Sequence, residues 1–246
     1  MASAEPSEAD RLSSMIRMAT LMQDSGRLGD AEILYREALD GFRRLYGENH
    51  PTTLSTVGRV AGLWVAQGKL GDAEPLYREA LAVRRRTLGD EHPDTLGSIN
   101  NLARLLSDQG KLDDAEPLYR EALAGQRRTL GDDHPNTLAS INNLALLLMD
   151  QGKLGDAEPL YREALAGRRR TLGGEHPDTL ASIFNFSLLL KQLGSKAEAL
   201  EMNREALEGF RRVLGEGHRS TQMAHRNHND LSAAARPQTR GYCSQA

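Results

Sequence analysis

The chain has 246 residues, 39% hydrophobic and only 4% aromatic, which is enough for one or two domains with a core of Leu, Ala, Ile and Met. A formal charge of −3 speaks against a general nucleic-acid binder, which carries a net basic face. A single cysteine, Cys243 near the end, excludes a disulfide framework or a cysteine metal cage, and no apolar run approaches the ~20 residues of a membrane span. The opening MASAEPSEADRL lacks the basic and apolar regions of a secretory leader, so a soluble cytoplasmic protein is expected.

Residues 1–7 are expected to be disordered, with the first helix beginning about residue 8. The phrase GDAEILYREAL follows at Gly29–Leu39, returns as GDAEPLYREAL at Gly71–Leu81 and Gly155–Leu165, and as DDAEPLYREAL at Asp113–Leu123. Tyr35, Tyr77, Tyr119 and Tyr161 are spaced by 42 residues, as are His50, His92, His134, His176 and His218. A fixed period of this size signals an array in which each unit buries its apolar face on its neighbours. Five units are expected, 8–50, 51–92, 93–134, 135–176 and 177–218.

Each unit reads as two helices. In 135–151 the residues Leu138, Ile141, Leu144, Ala145 and Leu148 recur at steps of three and four, one helical stripe. Pro135 suits the first helical position, where its missing N–H has no partner to lose, and Gly152 suits a left-handed C-terminal cap. The second helix is expected from about Gly155 to Leu172, with Ala157, Leu160, Tyr161, Ala164 and Leu165 as its stripe and Pro159 in its first turn. Glu158 and Arg162 stand four apart in the favourable order, worth ~0.2–0.5 kcal/mol. Gly41, Gly125, Gly167 and Gly209 fall inside second helices, where Val83 stands in the remaining unit. That valine suggests that alanine at Gly167 would stabilise. After His218 the register frays: 219–235 is expected to form a polar capping helix and 236–246 a disordered tail.

Ile141, Leu144, Ala145 and Leu148 on the first helix, with Ala157, Tyr161 and Ala164 on the second, resemble the tetratricopeptide repeat. The longer unit, with its NNLA, QGK and AEPLYREAL signatures, resembles the kinesin light chain and nephrocystin branch. The resemblance implies an all-α, right-handed superhelical solenoid of about five helix-turn-helix repeats. Kinesin light chains also carry a heptad coiled coil ahead of their repeats. Only about seven residues precede the first helix here, and the resemblance leaves open whether the chain associates with a kinesin motor.

The repeated phrase is read as packing. Function is sought where the copies differ. In the resembled family the first helices line a concave groove that binds extended peptides. Residue by residue, this implies a groove formed by Arg17, Arg59, Asn101, Arg104, Asn142, Asn143, Leu146, Phe184, Asn185 and Leu188. Asn101, Asn143 and Asn185 share one repeated place, from which an amide could clamp a peptide's N–H and C=O, or could bond within the helices. Arginines toward one end and bulky apolar residues toward the other imply a protein or peptide ligand that is acidic and carries bulky apolar groups.

Two alternatives stand beside this adaptor: a self-associating scaffold, and an RNA- or anion-binding solenoid along an arginine ridge. The ridge would run through Arg43–Arg44, Arg84–Arg86, Arg127–Arg128, Arg168–Arg170 and Arg211–Arg212. Its simpler reading is charge complementing helix C-termini, balanced by loop acids such as Glu48, Asp90 and Glu175. The five histidines stack at ~10 Å, one helix–helix distance, and cannot share a metal with ~2 Å bonds. They are read as helix-start residues. No HExxH, GxxxxGK[ST] or GxSxG motif is present. The expectation is therefore a non-enzymatic protein without cofactor or metal, with no membrane or nucleic-acid partner.

Overall fold

The computed structural model describes residues 7–235, so the expected disorder of 1–6 and 236–246, and Cys243 with it, lies outside the described residues. Ser7, placed in the disordered stretch by sequence, caps the first helix: its hydroxyl accepts from the Asp10 N–H while the Asp10 carboxylate accepts from Ser7. The described residues are all-helical. The helices are α1 (Glu8–Asp24), α2 (Leu28–Tyr46), α3 (Pro51–Ala66), α4 (Leu70–Leu88), α5 (Pro93–Asp108), α6 (Leu112–Leu130), α7 (Pro135–Asp150), α8 (Leu154–Leu172), α9 (Pro177–Gln192), α10 (Lys196–Leu214) and α11 (Arg219–Ala235). They fall into two compact units, residues 1–129 and 130–246.

The letters that repeat are the ones that start and stop helices. His50, His92, His134 and His176 are N-caps followed by Pro at the first helical position. In each, Nδ1 accepts from the backbone N–H two residues on, at 3.1–3.2 Å. A first helix is thus started by an imidazole lone pair rather than by the commoner hydroxyl or carboxylate. Gly152 (φ 74°) ends the first helix and Gly173 (φ 85°) the second, both in the left-handed region that a side chain disfavours. Sequence placed Pro159 in the first turn, but α8 begins one residue earlier, at Leu154, so Pro159 lies inside the helix, which continues through it.

Packing is sequential. In the first unit α1 packs on α2, α2 on α3, α3 on α4 and α4 on α5; in the second α7 packs on α8, α8 on α9, α9 on α10 and α10 on α11. Tyr35 and Leu39 of α2 pack with Leu54, Val57, Val60 and Leu63 of α3, so the phrase of one repeat is covered by the first helix of the next. Ala31, Ala73, Ala115, Ala157 and Ala199 are fully buried. A methyl at these places lets the helices approach within ~8–10 Å.

The interior glycines have a role that the sequence did not show. A Cβ at Gly41 or Gly125 would stand 2.5 Å from Cδ2 of Leu12 or Leu96, and Gly167 and Gly209 meet Leu138 and Leu180 in the same way. Each glycine is the bed for a leucine of its own first helix. The expectation that Gly167→Ala stabilises is therefore corrected. Overpacking a buried leucine costs ~1–3 kcal/mol, against a helix-propensity gain of ~1 kcal/mol. A thermal melt of Gly167→Ala is expected to show a lower midpoint than wild type. A higher one would mean that Leu138 moves aside freely.

A second repeated device joins neighbouring repeats. Glu32 of α2 accepts from Gln67 Nε2 at 2.9 Å, Trp64 Nε1 at 3.1 Å and Lys69 Nζ at 3.2 Å, and pairs with Arg36. Glu74 does the same with Lys111 at 2.9 Å and Arg78 at 2.8 Å. The Gln67 bond above all holds the Glu32 carboxyl at about 2, and the Lys111 bond holds Glu74 at about 2. The Q-G-K turn of one repeat and the Glu of the preceding phrase recur together because each grips the other.

Candidate peptide-binding face

In the first unit Arg17, Arg59, Asn101 and Arg104 are all exposed on first helices. Arg17 Nη2 donates to Ser14 Oγ at 2.7 Å. Arg59 Nη1 reaches Thr20 Oγ1 of α1 at 3.4 Å, and that hydroxyl meets Tyr35 OH at 2.9 Å. Side chains of α1 and α3 here enclose an open cavity of about 380 Å³ whose lining includes Ser13, Ile16, Phe42, Ser55, Thr56 and Arg59. That size falls within the range of small-ligand or side-chain pockets. Arg104 is within hydrogen-bonding reach of the Tyr77 hydroxyl, and its charge also reaches Tyr119. Burial nevertheless dominates at both phenols, raising Tyr77 and pushing Tyr119 up to about 12.

In the second unit Asn143, Asn185 and Leu188 are half-buried and Leu146 is 36% exposed. Asn142 and Phe184, expected on the same face, are buried at 8% and 9% exposure. They occupy one repeated place, whose side chain here turns between helices, and they form the wall behind the face. Among the described residues the side-chain amides of Asn101, Asn143 and Asn185 make no hydrogen bond. The next member of the same column, Asn227, differs: it is buried and donates to Asn203 Oδ1 at 2.9 Å. This buried Asn203–Asn227 pair was missed from sequence. Its one visible sign is that Asn203 replaces the repeat tyrosine.

Several arginines of the ridge are ion-paired within the protein. Arg128 pairs with Glu91 at 2.8 Å, Arg169 with Glu205 at 2.6 Å, Arg170 with Asp133, and Arg212 with Glu175 at 2.6 Å. Arg84 and Arg168, grouped with the ridge by sequence, turn inward instead. Arg168 Nη1 donates to Ser182 Oγ at 2.7 Å and to the Asp178 carbonyl at 2.8 Å, and burial lowers its pKa. Among the described residues no three His, Cys, Asp or Glu side chains converge as metal ligands, and no helix is long and apolar enough to cross a membrane.

The tetratricopeptide repeat profile matches residues 11–52, 53–94 and 95–136, and a second profile of the same description matches 137–212. The chain belongs to the tetratricopeptide repeat family. Repeats of this family are typically non-enzymatic scaffolds for protein interaction. A kinesin light chain-like protein of Podosopora anserina, with nearly identical TPR-like repeats, superposes at TM-score 0.70 and 28% identity over 85% of this chain and 99% of its own. BtubC (BKLC) from P. vanneervenii gives 0.66 at 22% identity over 97% and 87%. The Rap conjugation gene regulator of plasmid pLS20, in complex with the Phr* peptide, gives 0.76 at 15% identity over 91% of this chain and 59% of its own. The last two share the fold. No curated protein matches the sequence.

Proposed function

We propose that this tetratricopeptide repeat chain is a non-enzymatic cytoplasmic adaptor that holds an extended segment of a partner protein on its first helices. The observation that carries the reading is the asparagine column. Asn101, Asn143 and Asn185 present amides free of protein partners, each able to accept from and donate to an extended backbone. The exposed Arg17, Arg59 and Arg104 of the first unit favour acidic ligand residues, and Leu146 with Leu188 in the second favours bulky apolar ones. The Rap regulator, a protein of this fold with a bound peptide, supports the ligand class. Ion pairing along the ridge favours the groove over an RNA strip. Self-association is a second reading, supported by Met18 and Leu21 of α1, 50% and 64% exposed.

The test starts from peptides enriched from a random display library and measured by fluorescence anisotropy. Asn143→Ala is expected to weaken binding by ~1–3 kcal/mol, because the peptide's groups lose their partner. The melting midpoint should stay near wild type, since Asn143 has no bond to lose. Arg169→Glu, which breaks only the ridge pair with Glu205, is expected to leave peptide affinity unchanged. Loss of the ligand in Arg169→Glu with retention in Asn143→Ala would move the site from the groove to the ridge.

A further inference from the structure

Two opposite charges share the open cavity of the first unit without meeting each other. Arg59 of α3 and Asp94 of α5 both line its volume of about 380 Å³. Among the described residues Arg59 makes one hydrogen bond, the 3.4 Å contact with Thr20 Oγ1, which is longer than a normal N–H···O bond. No ion pair among those residues engages either Arg59 or Asp94. Arg84, whose charge reaches Asp94, directs Nη1 to Ser98 Oγ at 2.5 Å and to the Asp94 backbone carbonyl at 3.4 Å, so the Asp94 carboxylate keeps its acceptors open.

The rest of the lining offers both hydrocarbon and hydrogen-bonding groups. Ile16 and the Phe42 ring are its apolar part, and the hydroxyls of Ser13, Thr52 and Ser55 make no hydrogen bond among the described residues. Two glycines keep the neighbouring surface bare, since a Cβ at Gly58 or Gly97 would meet nothing within 4 Å. At the Gly58 place the other repeats carry Ile16, Asn100, Asn142 and Phe184. The combination is particular to this cleft. Repeating Arg59 and Asp94 by the 42-residue period gives Arg17 with Thr52, Asn101 with Asn136, Asn143 with Asp178 and Asn185 with Ser220, none of them a pair of opposite charges. The Phe42 place is taken by Arg84 in the second repeat and Arg168 in the fourth, whose guanidinium groups bond Ser98 and Ser182 at 2.5 and 2.7 Å. Those clefts have a bound cation at the place where this one has an aromatic ring.

We infer that this cavity is a binding site for a small zwitterion with an apolar body, the chemistry of a free α-amino acid. The ligand's carboxylate accepts from the Arg59 guanidinium, whose planar fork matches two carboxylate oxygens. Its ammonium, a donor of three protons with no acceptor, donates to the Asp94 carboxylate. Its side chain lies against Ile16 and Phe42, and the hydroxyls of Ser13, Thr52 and Ser55 take the remaining polar contacts. A mostly apolar wall with a few convergent polar groups is the ordinary make-up of a small-molecule site, and the volume falls in that range. A purely anionic ligand would leave Asp94 facing a like charge, and a purely cationic one would do the same at Arg59. A zwitterion satisfies both. The site stands independently of the peptide-groove reading, because no asparagine of the column lines it.

The test titrates the full chain with L-leucine and reads the NMR shifts of the Ile16 and Thr52 methyl groups. Two blocked analogues serve as controls: leucinamide, which lacks the carboxylate, and N-acetylleucine, which lacks the ammonium. Saturable shifts with leucine are expected, with affinity about tenfold weaker for each analogue, the effect of losing one charge-assisted contact. Arg59→Gln and Asp94→Asn replace exposed side chains, so the protein should stay folded, and each should weaken leucine about tenfold. The two variants should also differ in what they cease to distinguish. Arg59→Gln should bind leucine and leucinamide alike, and Asp94→Asn should bind leucine and N-acetylleucine alike. Absence of saturable shifts with leucine, equal affinity of the wild type for leucine and both analogues, or full leucine affinity in either variant would overturn the inference. The titration contains no peptide, so its failure leaves the groove reading standing, and a failure of the Asn143→Ala test leaves this site standing.

Discussion

Excision of residues 72–113 is expected to leave a folded protein one repeat shorter, whereas excision of 72–92 is expected to destroy the cooperative transition of the first unit. The first deletion joins Gly71 to Asp114 and recreates GDAEPLYREAL without a seam. Each helix still meets one of the kind it met before, and interactions in such arrays reach only nearest neighbours. The second deletion is half the size but removes α4 and sets α3 directly before α5. The faces of both that α4 covered then meet water. Val57, Val60, Leu63, Leu102 and Leu105 are each at most 5% exposed, and uncovering such a residue costs ~1.5–3 kcal/mol. That sum is comparable to the whole ~5–15 kcal/mol stability of a typical domain. Circular dichroism melts of both chains decide the matter. A similar loss of cooperativity in the two would show that the 42-residue unit is not the unit of folding.

Asn203→Ala is expected to detach α11 while leaving α9 in place. Asn203 is fully buried, donates to the Ala224 carbonyl at 2.9 Å and accepts from Asn227 at 2.9 Å. Truncation takes the side-chain donor from the Ala224 carbonyl and leaves the buried Asn227 amide only its 3.5 Å contact with Ser187, at roughly 1–3 kcal/mol for the amide. The loss falls on a helix with a thin apolar face, since Ala224 and Leu231 are its buried apolar residues among those described. Hydrogen exchange should rise across 219–235 and stay slow in α9. Asn203→Leu keeps the branched shape of the side chain with methyls in place of the amide oxygen and nitrogen, so it fills the site without hydrogen-bonding groups and separates packing from polarity. Protection of α11 at the wild-type level in Asn203→Leu would show that the polar pair does not hold the helix.

The sequence by itself determined the helices, their order and their period. That information is local. A proline after histidine starts a helix, a glycine of positive φ stops one, and apolar residues at steps of three and four mark the side that must be covered. Leu138, Ile141, Leu144 and Leu148 are each at most 2% exposed, as their spacing requires. Arg17, Arg59, Asn101 and Arg104, named from the family resemblance, are exposed. Only the tertiary structure decided what each face meets, because the partner lies on another helix and the 3.6-residue pattern carries no record of it. It turned Asn142 and Phe184 inward, sent Arg168 under the ridge to Ser182, and laid Leu138 against Gly167. It also brought Lys111 to Glu74 across 37 residues and left the Tyr161 hydroxyl without a hydrogen-bond partner among the described residues. Identical phrases therefore sit in different surroundings. Packing energy depends on the sum of neighbouring side chains, and in this chain the neighbours vary while the phrase stays the same.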